Sequence, residues 1–137
     1  MILVDTGPLV ALFDPADAAH QRCVQVLQGI DEALGTTTAV LTEAFHLLAP
    51  GSRGALRLMD FIAEGGLMVC HLDDASLSRA FELMVRYADV PMDLADASLV
   101  VTAERRAIRK VFTIDRKDFT TYRVKRGHRN YPFVMIN

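Results

Sequence analysis

Three short apolar runs stand out along the chain: Ile2-Leu3-Val4, Leu67-Met68-Val69-Cys70 and Val111-Phe112-Thr113-Ile114. Nearly continuous runs of this length are expected of strands buried on both faces of a parallel sheet. Between them the apolar residues recur at helical spacing. Thr6-Gly7-Pro8 ends the first run and Pro8 suits a helix start before Leu9-Val10-Ala11-Leu12-Phe13. Asp17 is placed to cap a helix reaching about Leu34, with Val24, Leu27 and Ile30 on its apolar side. Thr36-Thr37-Thr38 reads as a short strand or a capping turn before a helix from Ala39 to Leu48, which Pro50-Gly51 terminates.

Ser52 is the cap of a further helix whose repeat runs through Leu56, Met59 or Asp60, and Ala63 until Gly65-Gly66 stops it. Asp73 or Asp74 caps one carrying Leu77, Phe81 and Met84, and Val90-Pro91 separates it from another running from Leu94 to about Ile108. Tyr131 to Ile136 supplies a last strand at a sheet edge. Strands alternating with helices predict a three-layer α/β/α sandwich with a mainly parallel sheet, formed by residues 1–137 as one domain.

Composition narrows the class. Apolar residues make up 51% and charged residues 23% of the 137, which is globular, and no stretch nears the eighteen or so apolar residues of a membrane helix. Met1 to Asp5 lacks the basic and long apolar regions of a secretory signal, so a cytoplasmic location is expected. Cys23 and Cys70 form no metal-spaced pair, and His20, His46, His71 and His128 are equally scattered, which argues against a disulfide framework and a zinc site. The formal net charge of −2 conceals a split: Glu104 to Arg129 holds ten Lys and Arg against three acids. Clustered bases are the footprint of a polyanion site, or simply a solvated face.

The acids carry the candidate chemistry. Asp5 and Asp115 each follow a strand, and ligands of open α/β sheets collect outside the carboxyl ends of the strands; turn and cap aspartates are also common there. Glu43 has Val40 and Leu47 as helical neighbours, and Asp96 has Leu99, Val100 and Ala103. A carboxylate on an apolar helix face is costly unless a cation or hydrogen bonds compensate it. Asp93 fits an N-cap position, within reach to support Asp96. Oxygen-only ligand sets select hard ions such as Mg²⁺ or Mn²⁺. Such ions serve phosphoryl chemistry by activating water and stabilising the leaving oxygen.

The chain resembles PIN-domain proteins, and among them the VapC-type toxin ribonucleases. The resemblance rests on Met1-Ile2-Leu3-Val4-Asp5-Thr6, on Leu41-Thr42-Glu43-Ala44-Phe45, on Met92-Asp93-Leu94-Ala95-Asp96-Ala97-Ser98-Leu99, and on Phe112-Thr113-Ile114-Asp115-Arg116-Lys117-Asp118-Phe119. It implies that Asp5, Glu43, Asp96 and Asp115 form an acidic Mg²⁺ or Mn²⁺ site, that the Thr6 and Thr113 hydroxyls support it, and that Asp118 competes with Asp115 for the fourth place. It further implies a PIN-like parallel-sheet sandwich, RNA as substrate, a homodimer, and often an antitoxin encoded alongside. Gly7-Pro8 departs from the commoner pair after the first motif, but supplies no ligand side chain. If RNA binds, Arg105, Arg106, Arg109 and Lys110, with Arg116 and Lys117, are the bases nearest along the chain to two of the acids, and would hold phosphates rather than read bases.

Other readings fare worse. Asp5-Thr6-Gly7 spells the aspartic-protease triplet, but such proteases are mostly β and this chain is helix-rich. An Asp-x-Asp phosphatase needs a second aspartate where Gly7 stands. A PIN-domain nuclease of RNA processing, without an antitoxin, and a non-cutting PIN scaffold that binds RNA or protein remain as alternatives.

Overall fold

The computed structural model describes all 137 residues. Five parallel strands form the central sheet in the order β3-β2-β1-β4-β7. These are β1 (Ile2–Val4), β2 (Leu34–Thr37), β3 (Met68–Cys70), β4 (Lys110–Phe112) and β7 (Val134–Ile136). β1 lies in the middle, in register with β2 through Ile2 and Leu34 and with β4 through Val4 and Phe112. Its three side chains are buried, as their unbroken apolar run requires. Because every strand runs the same way, the residues that follow them gather along one edge of the sheet.

Helices flank the sheet: α1 (Thr6–Phe13) packs with α2 (His20–Gln28), α3 (Thr38–Leu48) and α4 (Arg53–Ala63), and α5 (Asp74–Arg86) packs on α6 (Leu94–Arg106). This is the expected sandwich. Every residue of α6 from Ala97 to Ala103 is buried, so its low amphipathicity is that of a helix enclosed nearly all round. Side chains cap the helices where expected: Ser52 on Ala55 N, Asp73 on Ser76 N and Asp93 on Asp96 N.

Several boundaries differ from the sequence expectation. Asp17 does not cap α2; it turns the chain by accepting from Ala19 N, and the helix begins at His20. That helix ends at Gln28, and Leu34 is the first residue of β2, because only a strand there can pair with β1 at Ile2. α6 stops at Arg106 on a left-handed Ala107. The segment Tyr131 to Ile136 is divided: Tyr131 and Pro132 end one strand of an antiparallel hairpin, β5 (Arg123–Arg126) with β6 (Arg129–Pro132), and only Val134–Ile136 joins the main sheet. A short helix, α7 (Arg116–Thr121), precedes the hairpin.

The expected apolar stripes of α4 and α5 are displaced by one position. Ala55 and Leu58 face the core while Leu56 and Met59 are half exposed; Ala80 and Leu83 face it while Phe81 is 52% exposed. Small residues permit close helix packing and leave the larger apolar ones outside. No helix is long and apolar enough to cross a membrane.

Candidate active site

Three neighbouring chain reversals bring the acids together. Asp5 follows β1 and caps α1, its Oδ1 accepting from Thr6 N at 2.8 Å. Its Oδ2 accepts from the Thr113 hydroxyl at 2.9 Å, just past the end of β4. Thr113 Oγ1 also accepts from Asp115 N, at 3.0 Å. Thr6 donates through Oγ1 to Glu43 Oε1 at 2.7 Å, joining α1 to α3. Thr37, the N-cap of α3, shares a 2.6 Å hydroxyl contact with buried Ser98, which fixes α3 and its Glu43 against α6 and its Asp96.

Two features of the site have no signature in the sequence. Tyr122, fully buried after α7, donates from its hydroxyl to Asp96 Oδ2 at 2.8 Å. It stands edge-on to the rings of Tyr87 and Phe119, so its position is set by packing. Asp93, besides capping α6 at Asp96 N, is close enough for a hydrogen bond between its carboxyl and that of Glu43. No spacing rule joins residues 122 and 96, or 93 and 43. The one available hint was the run Asp115 to Tyr122, whose Phe119 and Tyr122 have helical spacing.

The carboxylates raise one another's proton affinity. Asp5 is held up at about 6, first by burial, with the Thr6 amide and Thr113 hydroxyl pulling it down and Asp115 and Glu43 pushing it up. Asp96 is pushed up to about 7, again mainly by burial and then by Asp93; Tyr122 opposes this, and Asp5 and Asp118 add to it. Glu43 is raised by burial and by Asp93, and Asp118 by burial and its contact with Asp115. Six acids therefore share one field: Asp5, Glu43, Asp93, Asp96, Asp115 and Asp118.

Exposure grades across them. Asp5 is 7% exposed, Glu43, Asp96 and Asp118 are intermediate, and Asp93 and Asp115 are open. The apolar surroundings expected for Asp96 are present, since Leu99, Val100 and Ala103 are fully buried. Those of Glu43 are one-sided: Val40 is buried but Leu47 is 62% exposed, so Glu43 sits at the rim of the apolar face. Asp115 caps α7 and lies in the field of Asp5, whereas Asp118, one turn on, lies in that of Asp96.

None of the six is ion-paired with a lysine or arginine. No three His, Cys, Asp or Glu side chains stand close enough together to hold a metal ion as they are, and unneutralised like charges favour such spacing. The donors are all oxygen, a set that suits a hard divalent cation better than a soft one.

The basic residues divide. Arg116 and Lys117 lie in the first turn of α7, between Asp115 and Asp118. Arg105 reaches Asp73 at 3.4 Å. Arg106, Arg109 and Lys110 line a cavity of about 550 Å³ with Met1 and Glu32, beside the amino ends of β1 and β4. Lys110 pairs with Glu32, while Arg109 donates to the Pro132 carbonyl at 3.1 Å and lies over the Tyr131 ring. That is the opposite end of the sheet from the acids; α6 alone separates Asp96 from Arg106 by about 15 Å at 1.5 Å per residue.

The carboxylates lie at the carboxyl edge of a five-stranded parallel sheet flanked by helices, where ligands of open α/β sheets collect. The PIN domain family model matches residues 2–125, and the chain belongs to that family. It is 28% identical over 130 residues to ribonuclease VapC26 of Mycobacterium tuberculosis, covering 93% of this chain and 96% of that protein. Among solved structures it is similar to M. tuberculosis VapC20, a sarcin-ricin loop cleaving toxin, with a TM-score of 0.78 and 23% identity over 85% of this chain and 92% of that one. It is also similar to a toxin-antitoxin complex from Klebsiella pneumoniae, with a TM-score of 0.67 and 19% identity over 88% of this chain and 92% of that one. FitAcB from Neisseria gonorrhoeae gives a TM-score of 0.55 and 20% identity over 84% of this chain and 88% of that one. At these identities the structural likeness is one of fold.

Proposed function

We propose that this chain is a VapC-like endoribonuclease, dependent on Mg²⁺ or Mn²⁺, and the toxin of a toxin-antitoxin pair. The observation that carries the reading is the linked set of Asp5, Glu43 and Asp96, each held by a hydroxyl from a different element: Thr113, Thr6 and Tyr122. A divalent cation, when bound, neutralises such a cluster, activates water and stabilises the leaving oxygen of a phosphodiester. Asp5, Glu43, Asp96 and either Asp115 or Asp118 would hold it. Asp93, Thr6, Thr113 and Tyr122 would keep those carboxylates oriented, which matters because small misplacements are expensive in catalysis. Arg116 and Lys117 are the cations placed to draw RNA phosphates to the acids.

The likeness to VapC26 and VapC20 supports RNA over DNA, and makes ribosomal RNA loops the first substrates to try. The half-exposed Leu47, Leu56, Met59 and Phe81 offer apolar surface for an antitoxin or for a second copy in a homodimer. The deciding experiment incubates purified protein with total RNA and Mn²⁺ and sequences the fragments. Defined cleavage sites are expected for the wild type, with Asp5→Asn and Asp96→Asn folded and at least a hundredfold slower on the scale of lost metal ligation. Undiminished cutting by either variant removes that residue from the mechanism. An intact RNA pool leaves a binding scaffold as the better description.

A further inference from the structure

The β5–β6 hairpin carries charge that nothing in the fold uses. Its ten residues, Arg123 to Pro132, include four Lys and Arg and no acid. Arg123 is occupied, donating to the carbonyls of Thr120, Thr121 and Tyr122 that end α7. Lys125, Arg126 and Arg129 are exposed and make no ion pair. Arg126 and Arg129 are direct cross-strand partners beside the Gly127-His128 turn, and like charges placed opposite one another destabilise a hairpin. The acid nearest to hand does not relieve them. Glu104 is engaged by Arg79 through two contacts, at 2.9 and 3.1 Å, and accepts from the backbone N of Lys125 rather than from its side chain.

The same contacts fix the hairpin relative to the acids. Tyr122, one residue before β5, is bonded to Asp96; Lys125 is bonded to Glu104, eight residues further along α6. β5 therefore starts at the site and runs beside α6 for about 12 Å, at 1.5 Å per helical residue. Buried Val124 packs beneath it, and Arg109 clamps the returning strand at Pro132 and Tyr131. The hairpin is a fixed arm whose free cations begin a few nucleotides' reach from Asp96.

We propose that this hairpin is an RNA-backbone arm, with Lys125, Arg126 and Arg129 holding phosphates of the strand on one side of the scissile bond. The inference rests on the ribonuclease reading for its ligand, though not for its geometry. It places RNA along the exposed side of β5, from Asp96 to the hairpin turn, at the end of α6 where Arg106 and Arg109 also lie.

The test is the triple variant Lys125→Gln, Arg126→Gln, Arg129→Gln, alongside Arg22→Gln as an exposed control, with thermal melts to establish folding. Binding of a long labelled RNA is followed by anisotropy in chelator over a salt series, and cleavage in Mn²⁺ of that RNA is compared with cleavage of a tetranucleotide. Loss of three phosphate contacts should flatten the slope of log affinity against log salt by about 2. Cleavage of the long RNA should fall with it, while the tetranucleotide, too short to reach the arm, is cut at the wild-type rate. The pair Arg126→Lys, Arg129→Lys should restore the slope, since charge rather than forked geometry is required.

If the wild type cuts RNA and the triple variant keeps its slope, the arm is refuted and the ribonuclease reading stands. Should the wild type bind RNA with an arm-dependent slope yet cut none, the arm stands and the ribonuclease reading falls. Polyglutamate bound as tightly as RNA of equal charge would overturn the arm in favour of an acidic protein partner.

Discussion

Tyr122 and Asp96 show how much one side chain contributes here. The Tyr122 hydroxyl is the one group beside Asp96 that lowers its proton affinity, against burial and the charges of Asp93, Asp5 and Asp118. Tyr122→Phe keeps the ring in its aromatic cluster and removes that hydrogen bond. If ionised Asp96 is needed, the acid limb of the cleavage profile should move up by about one to two pH units, since a hydrogen bond to a charged group contributes about 1.5–3 kcal/mol. A pH–rate profile checks this, and an unmoved limb with an intact fold assigns Tyr122 to packing alone. Asp5 and Asp96 also make stability depend on pH. Their folded values, about 6 and about 7, lie above the ordinary carboxylate value of 3.8. Between these limits the folded protein retains protons that the unfolded chain has released, so stability falls as pH rises from about 4 to 7. Chelator-treated protein should therefore melt at lower temperature at pH 7 than at pH 5, and Asp96→Asn should flatten the trend.

At the scale of elements, α3 and α6 are held in register by the Thr37–Ser98 contact rather than by charge. Thr37 serves twice, since its Oγ1 also caps Val40 N. Thr37→Val keeps the volume, removes the cap and leaves Ser98 short of a buried partner. A loss of about 2 kcal/mol is expected from the two effects together, measured by denaturant unfolding. Cleavage should fall further than stability predicts, because Glu43 and Asp96 move apart when those helices slip. The caps of α4, α5 and α6 were legible because Ser52, Asp73 and Asp93 each precede a helical pattern. The stripes of α4 and α5 were not, because spacing cannot tell whether Leu56 and Phe81 face the core or a surface lined with smaller residues.

For the whole molecule, the acid cluster ties the ends of β1 and β4 to the starts of α1 and α6 and to the middle of α3, so neutralising it should tighten the fold as a unit. Millimolar Mn²⁺ is expected to raise the melting temperature of the wild type, by about 2.7 kcal/mol of stability at a hundredfold excess over the dissociation constant. Asp96→Asn should lose most of that gain. An unchanged melting temperature would mean that the carboxylates do not act as one ligand set.

What the chain order determines by itself is local. The apolar runs locate β1, β3 and β4, although β4 ends at Phe112 and leaves Ile114 outside it; Ser52, Asp73 and Asp93 fix the starts of α4, α5 and α6; and the positions of Asp5, Asp96 and Asp115 after strands or within buried helices mark them as unusual. PIN-domain membership was readable from the motifs around these acids, since a parallel sheet places strand ends together whatever lies between them. Tertiary structure alone decided which distant groups meet. It brought Tyr122 to Asp96 and Asp93 to Glu43, carried Arg106 and Lys110 to the far end of the sheet despite their nearness in sequence to Asp115, and folded the last basic segment into a hairpin that starts at the acids and runs beside α6 to Glu104. A strand of three residues carries the chain about 10 Å from one edge of the sheet towards the other, and a helix carries it about 15 Å over ten. Proximity along the chain therefore says little about which charges share a site.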